Sequence, residues 1–195
     1  MNLITPGASG FRDCMHTAHD LAAVDGVGLI GYGVVELFDG DMKIKSLSPF
    51  GNLITDAGDL YYAQKAIVGI SPAAPSAPTA MNGMKLGTGV TAVAKSGAGG
   101  AIVTYVSGSN IAFDATFPST TNLGGGLGVN ATYKTTFAAG VATNAALTEA
   151  AIVNDQATNA TTTAANTMAR AIITTTNKGA SDTLAITWNT KFLGA

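Results

Sequence analysis

Charge is what this 195-residue chain has least of: Asp, Glu, Lys and Arg make up 11% of it, under half the roughly 25% of an ordinary soluble domain. The ten basic and twelve acidic residues leave a formal charge of −2, and the basic ones are scattered. That excludes the clustered Lys and Arg with which a protein displaces counterions from nucleic acid. No run approaches the roughly 18 consecutive apolar residues of a membrane-crossing helix, so the mean hydropathy of +0.30 does not point to a membrane partner. One cysteine, Cys14, cannot close an internal disulfide, and the opening residues Met1 to Pro6 lack the basic and apolar stretches of a secretory signal. Aromatic residues are only 7%, while the chain holds 34 Ala and 26 Thr. Large side chains are therefore few, the expected core is thin, and stability must come from packing or from assembly.

What remains is organised by short patterned runs. Residues 1–31 mix Gly, Pro and Ala with isolated apolar side chains and hold neither a period of 2 nor one of 3.6. They read as an extended arm that needs a surface to lie on, with Leu3, Ile4, Phe11, Leu29 and Ile30 as its candidate interface residues. Residues 32–50 then alternate on either side of Asp39-Gly40, with Gly33, Val35 and Leu37 on one face, which predicts a β-hairpin closed by a type I′ turn. Residues 51–80 hold one predicted helix, about 56–69, capped by Thr55 or Asp56 and carrying Leu60, Ala63, Ile67 and Val68 at helical spacing. An extended connector with Pro72, Pro75 and Pro78 follows.

From residue 81 to 195, β-prone runs near 84–88, 101–106, 110–117, 128–138, 146–153, 167–175 and 183–192 recur at the spacing of a sandwich or barrel. In the last of them Leu184, Ile186, Trp188 and Phe192 share one face. In the fourth, Val129, Tyr133 and Phe137 do so. The expected fold is mainly β, an antiparallel, jelly-roll-like sandwich with one short helix and an extended N-terminal arm. Its core candidates are Tyr133, Phe137, Ile152, Leu184, Ile186 and Trp188.

Little in the chain suits catalysis. The densest polar cluster, Asp13-Cys14-Met15-His16-Thr17-Ala18-His19-Asp20, holds both histidines, but its spacing is too compressed for a Cys/His zinc finger and no second ligand pair exists. Gly87-Thr88-Gly89-Val90-Thr91-Ala92 fits a dinucleotide-loop pattern nominally, yet Lys95-Ser96-Gly97 breaks any helix that would have to follow. There is no Gly-x-Ser-x-Gly elbow. Asp39, Asp56, Asp155 and Asp182 suit turns and element ends. Glu149 is the exception: an acid alone in an apolar strand, which calls for an interface or for a paired Lys or Arg170 rather than for a reaction. The sequons at Asn130 and Asn159 are products of a Thr-rich composition, and residues 157–166 read as a polar loop between two strands, an exposed tip in its functional reading. No catalytic residue, metal or cofactor is expected.

Five pieces occur in a recognisable order: Asn52-Leu53-Ile54-Thr55-Asp56-Ala57-Gly58; Lys85-Leu86-Gly87-Thr88-Gly89; Leu147-Thr148-Glu149-Ala150-Ala151-Ile152-Val153-Asn154; Met168-Ala169-Arg170; and Asn177-Lys178-Gly179-Ala180-Ser181-Asp182-Thr183-Leu184-Ala185-Ile186-Thr187-Trp188. Over residues 52–192 this order resembles a group of tailed-bacteriophage virion structural proteins. The resemblance implies a non-enzymatic virion component with a β-sandwich body and does not fix its place in the particle; the low charge, small-residue strands and thin core leave two roles. The first is a capsid cement or decoration subunit, a homo-oligomer, trimeric by preference, whose arm reaches the major capsid protein or other virion proteins. The second is a tail-fibre, neck or baseplate component that binds a receptor or glycan through Thr/Asn/Gly loops. Residues 1–51 lie outside the resemblance.

Overall fold

The computed structural model describes residues 28–67 and 78–193. Alternation of apolar and small polar residues sets its strands: β1 (Gly28–Phe38), β2 (Ile44–Gly51), β3 (Leu53–Ile54), β4 (Gly83–Gly87), β5 (Ile111–Ala112), β6 (Ser119–Asn122), β7 (Val129–Phe137), β8 (Asn144–Val153), β9 (Thr167–Lys178) and β10 (Thr183–Leu193), with one helix, α1 (Asp56–Ile67). They form a β-sandwich of two antiparallel five-stranded sheets. The first has the order β2-β1-β10-β7-β6 and the second β3-β9-β8-β4-β5.

Each strand sends alternate residues inward. Val35 and Leu37 of β1, Leu184, Ile186 and Trp188 of β10, and Ala131, Tyr133 and Phe137 of β7 meet Met84, Leu86, Leu147, Ala150, Ile152, Met168 and Ile173 of the second sheet. All six sequence-derived core residues are buried here. Trp188 packs edge-on against Phe50 with ring centroids 4.9 Å apart. Val129 keeps the inward parity but sits at the strand end and is exposed, while Thr190 takes a buried place in β10.

Several expectations shift. The body begins before residue 32: Leu29 and Ile30 are half-buried in β1, opposite Phe192 and Lys191 of β10, so the central pairing claims the last residues assigned to the arm. Leu3, Ile4 and Phe11, like most of the proline connector, lie outside the described residues. The 32–50 hairpin is not a separate unit, because β1 pairs with β10 along its whole length. Residues 101–106 form no strand beyond a bridge between Gly87 and Tyr105, and only Ile111–Ala112 of the 110–117 run is extended in a sheet. β6, with the sequence Ser-Thr-Thr-Asn, carried no apolar alternation to announce it.

In the helix, Thr55 is the cap, accepting the Gly58 N–H at 3.2 Å while its hydroxyl donates to the Thr167 carbonyl. That double tie sets the rotation of α1, so Ala57, Tyr61 and Gln64 turn toward the sandwich and Ala63 faces solvent. Of the expected Leu60, Ala63, Ile67 and Val68 face, Ala63 is exposed and Leu60 half-buried, while the side chain of Ile67 and all of Val68 lie outside what the structure describes. Tyr62 reaches the core from the same helix, with its hydroxyl 3.0 Å from that of Tyr133.

The hairpin turn also differs from expectation. Asp39 Oδ1 accepts the N–H groups of Asp41 at 3.0 Å and Lys43 at 2.9 Å, Met42 N–H donates to the Asp39 carbonyl, and the residue forced to positive φ, at +60°, is Met42 rather than Gly40. This is a three-residue loop with a bulge, closed by the aspartate side chain.

Two outcomes follow. Met42→Gly should stabilise the fold by about 0.5–1 kcal/mol, the left-handed penalty of a side chain less the added chain entropy of glycine; an unchanged or lower denaturation midpoint would contradict it. Burial pushes the Tyr62 and Tyr133 phenols above the ordinary tyrosine value of 10.0. Their contribution to stability is therefore intact below that value and is lost as pH rises through the folded-state values. Denaturation midpoints should hold up to about pH 10 and fall beyond it, and a flat profile to pH 11.5 would argue against the burial.

Candidate functional site

The outer face of the second sheet would ordinarily meet solvent, yet it carries the most buried charges among the described residues. Glu149 on β8 and Arg170 on β9 are both fully buried. Register places Glu149 beside Gly87 of β4 and Ile172 of β9, and Arg170 beside Ala151. Arg170 Nη2 and Nε donate to Glu149 Oε2 at 2.7 and 3.1 Å, a two-pronged contact that matches guanidinium to carboxylate. Its remaining Nη1 donates to the carbonyls of Thr91 at 3.0 Å and Gly99 at 3.2 Å.

The carboxylate is satisfied from the other side by backbone. Gly89 N–H donates to Oε1 at 2.8 Å, Thr104 N–H at 2.9 Å, and Val103 N–H reaches both oxygens at 3.1 Å. These donors lie in the 88–105 loop, which folds over the sheet. A Cβ at Gly87 would overlap Glu149 Oε1 and the Thr104 carbonyl, and one at Gly89 would sit 2.8 Å from Val103 Cβ. The two glycines of Gly87-Thr88-Gly89 thus give the backbone access to an anion, as glycines do in phosphate loops. Here the anion is the chain's own Glu149, and among the described residues only the 3-10 turn Gly97–Gly100, not an α-helix, follows these glycines in the loop.

A second tie lies alongside. Lys85 is fully buried on β4, with Nζ 2.9 Å from Asp155 Oδ1, 3.1 Å from the Ala160 carbonyl and over the Tyr105 ring. Asn159 Oδ1 accepts the Tyr105 hydroxyl and the Gly108 N–H, each at 2.8 Å, and Thr161 donates to the Ile102 carbonyl. The polar 157–166 segment does join two strands, but it is strapped to the covering loop rather than held clear as a free tip. Under both segments Ile102 packs with Ala151 and Val153 in a second, smaller core.

At the far end Lys178, buried on β9, donates to the carbonyls of Ala138 at 2.9 Å and Asp182 at 2.7 Å. Burial pulls its pKa down, opposed by the Asp182 charge. Asp182 accepts Lys45 Nζ at 2.7 Å and Gly179 N–H at 2.8 Å, and these bonds hold its carboxyl below the ordinary range.

The predicted partnership of Glu149 with Arg170 is thus present. Asp39 closes a turn, Asp56 begins α1, Asp59 pairs with Lys95, Asp114 holds Thr136, and Asp155 pairs with Lys85. The sequon Asn130 is nearly buried and bonded to Thr132 and Asn189 on the first sheet, and Asn159 is engaged as above. Cys14, His16 and His19 lie outside the described residues, and among the described residues no group of three or more His, Cys, Asp or Glu could hold a metal. Sequence reading passed over Lys85 and Lys178 as anchors, although each stands beside apolar or paired strand residues where a free ammonium could not be buried.

Each buried charge at this site is spent on tying a loop or turn to a strand. The arrangement fastens segments. Comparisons with protein-family models, with curated proteins and with solved structures found no significant match to this chain.

Arg170→Met strands a carboxylate in the interior and should cost about 3–5 kcal/mol. Glu149→Gln strands the buried Arg170 guanidinium in its turn and should cost a comparable amount, whereas the double variant Arg170→Met/Glu149→Gln, which leaves no buried charge unpaired, should cost clearly less than the two single losses added together. Urea denaturation of the three variants measures this; additive losses would show that the two charges do not interact.

Proposed function

We propose that this chain is a non-enzymatic structural protein of a bacteriophage virion, a cement or decoration subunit that stabilises the shell as a homo-oligomer. One observation carries the reading. The short pieces through which the sequence resembles tailed-phage virion proteins converge in space: Gly89 and Arg170 both hold Glu149, and Thr55 is tied to the backbone of Thr167 and Met168 beside Arg170. In these positions the residues are architectural, which suits a virion component with no reaction to perform. The β-sandwich supports it further, as does the placement of buried charge in fastenings.

The second reading, a tail-fibre, neck or baseplate part with a receptor- or glycan-binding role, draws on the Asn130–Thr132–Asn189 polar strip beside Tyr32 and Lys191 on the first sheet. Quantitative mass spectrometry of purified particles separates the two. Hundreds of copies, on the scale of the major capsid protein, are expected for cement; a few to a few dozen would move the protein to the tail or neck, and absence from particles would overturn the virion reading.

A further inference from the structure

The two outer faces of the sandwich are treated differently. The second sheet is covered by the 88–105 and 157–166 segments, whereas the first stays open: the outward residues of β2, β1 and β10 are half-exposed or exposed, apart from the small Ala185. Strand register places Ile44, Leu47 and Pro49 of β2, Val34 and Phe38 of β1, and Thr187 of β10 on that outer face. Ile44 is 60% exposed and Leu47 54%, and Met42, 61% exposed, extends the patch at the turn. The surface available is the face rather than the edge of β2. Asn52 N–H bonds the Gly31 carbonyl, so alternation turns the backbone of position 49 outward, and Pro49 has no N–H to offer an added strand.

Charge suggests what lies on this face. Residues 1–27 contain one basic side chain, Arg12, and three acids, Asp13, Asp20 and Asp25, so they carry the whole formal charge of −2; the rest of the chain balances nine basic against nine acidic residues. On the open face Lys134 and Lys191 make no ion pair among the described residues, and neither does Glu36, set between Leu47 and Ala185. Residues 1–27 also supply apolar groups of matching kind in Leu3, Ile4, Phe11, Met15 and Leu21. Extended, 27 residues reach about 90 Å. The five-stranded sheet is about 20 Å wide, so the segment is far longer than its own face requires and can cross to a neighbour.

We infer that the open outer face of the first sheet is the docking surface for residues 1–27 of a second copy of this chain, with the Ile44–Leu47–Val34–Phe38 patch taking its apolar side chains and Lys134 and Lys191 its acids. The inference rests on the assembly reading above and names the surface through which subunits are joined.

Cys14 is a native probe inside that segment. The full-length wild-type chain is co-expressed with a Cys14→Ser/Leu47→Cys variant and oxidised mildly, so that a disulfide from Cys14 to position 47 can only join two chains. A Cys14→Ser/Thr158→Cys variant, altered on the opposite side of the sandwich, is the control. The inference expects the position-47 disulfide at least about tenfold above the control by peptide mapping, and its loss when Ile44→Asp is added. Both sites are exposed, so folding is not in question. Yields equal to the control would overturn the inference, as would a Cys14 bond to position 47 formed only within one chain carrying Leu47→Cys alone. Copy number in particles is unaffected by either result, so failure of this interface and failure of the virion reading are told apart.

Discussion

A carboxylate buried in a sheet has to be answered, and the answer organises half of this molecule. Glu149 cannot be hydrated under the 88–105 loop, so Arg170 neutralises it and three backbone N–H groups complete its acceptors. The loop in turn is low in regular structure because its donors are directed at a side chain instead of at a neighbouring strand. With few large apolar groups to hold it, the covering layer depends on this charge and on Lys85 for its position. The thin, alanine-rich composition and the buried ions are thus two aspects of one solution.

Where one face of a strand is buried and the other is not, the sequence was easy to read. The period of 2 in Leu184, Ile186 and Trp188 led directly to the core, and Glu149 drew attention because a lone acid in an apolar run demands a partner. The failures have the same physical origin. Residues 101–106 have β-prone composition, but tertiary bonds to Glu149 override propensity. The rotation of α1 depends on Thr55 meeting Thr167 and Met168, more than 100 residues away in sequence, and no local pattern encodes it. The turn at Asp39 was recognisable as a turn, while its type depended on which groups the aspartate side chain captured. Glu149 and Arg170 were legible as a pair; the glycines that admit the loop to them were legible only as a motif for a different anion.

The sandwich is consequently two-sided in character. One outer face is closed by ions and loops and forms a second small core; the other presents Ile44, Leu47 and Phe38 beside threonine and asparagine. The chain thus keeps the buried charges Lys85, Glu149, Arg170 and Lys178 on one sheet and the exposed apolar groups Ile44 and Leu47 on the other.

The pairing of β1 with β10 over eleven residues has a temporal meaning as well. β10 is the last of the described strands in sequence, yet it lies in the middle of its sheet and supplies Trp188 to the core. Until it emerges, β1 and β7 have no common neighbour, and the apolar rows of Val35, Leu37, Tyr133 and Phe137 stay without cover. Closure of the body is therefore an event that follows synthesis of the body, governed by contacts of long sequence separation and slow by that measure.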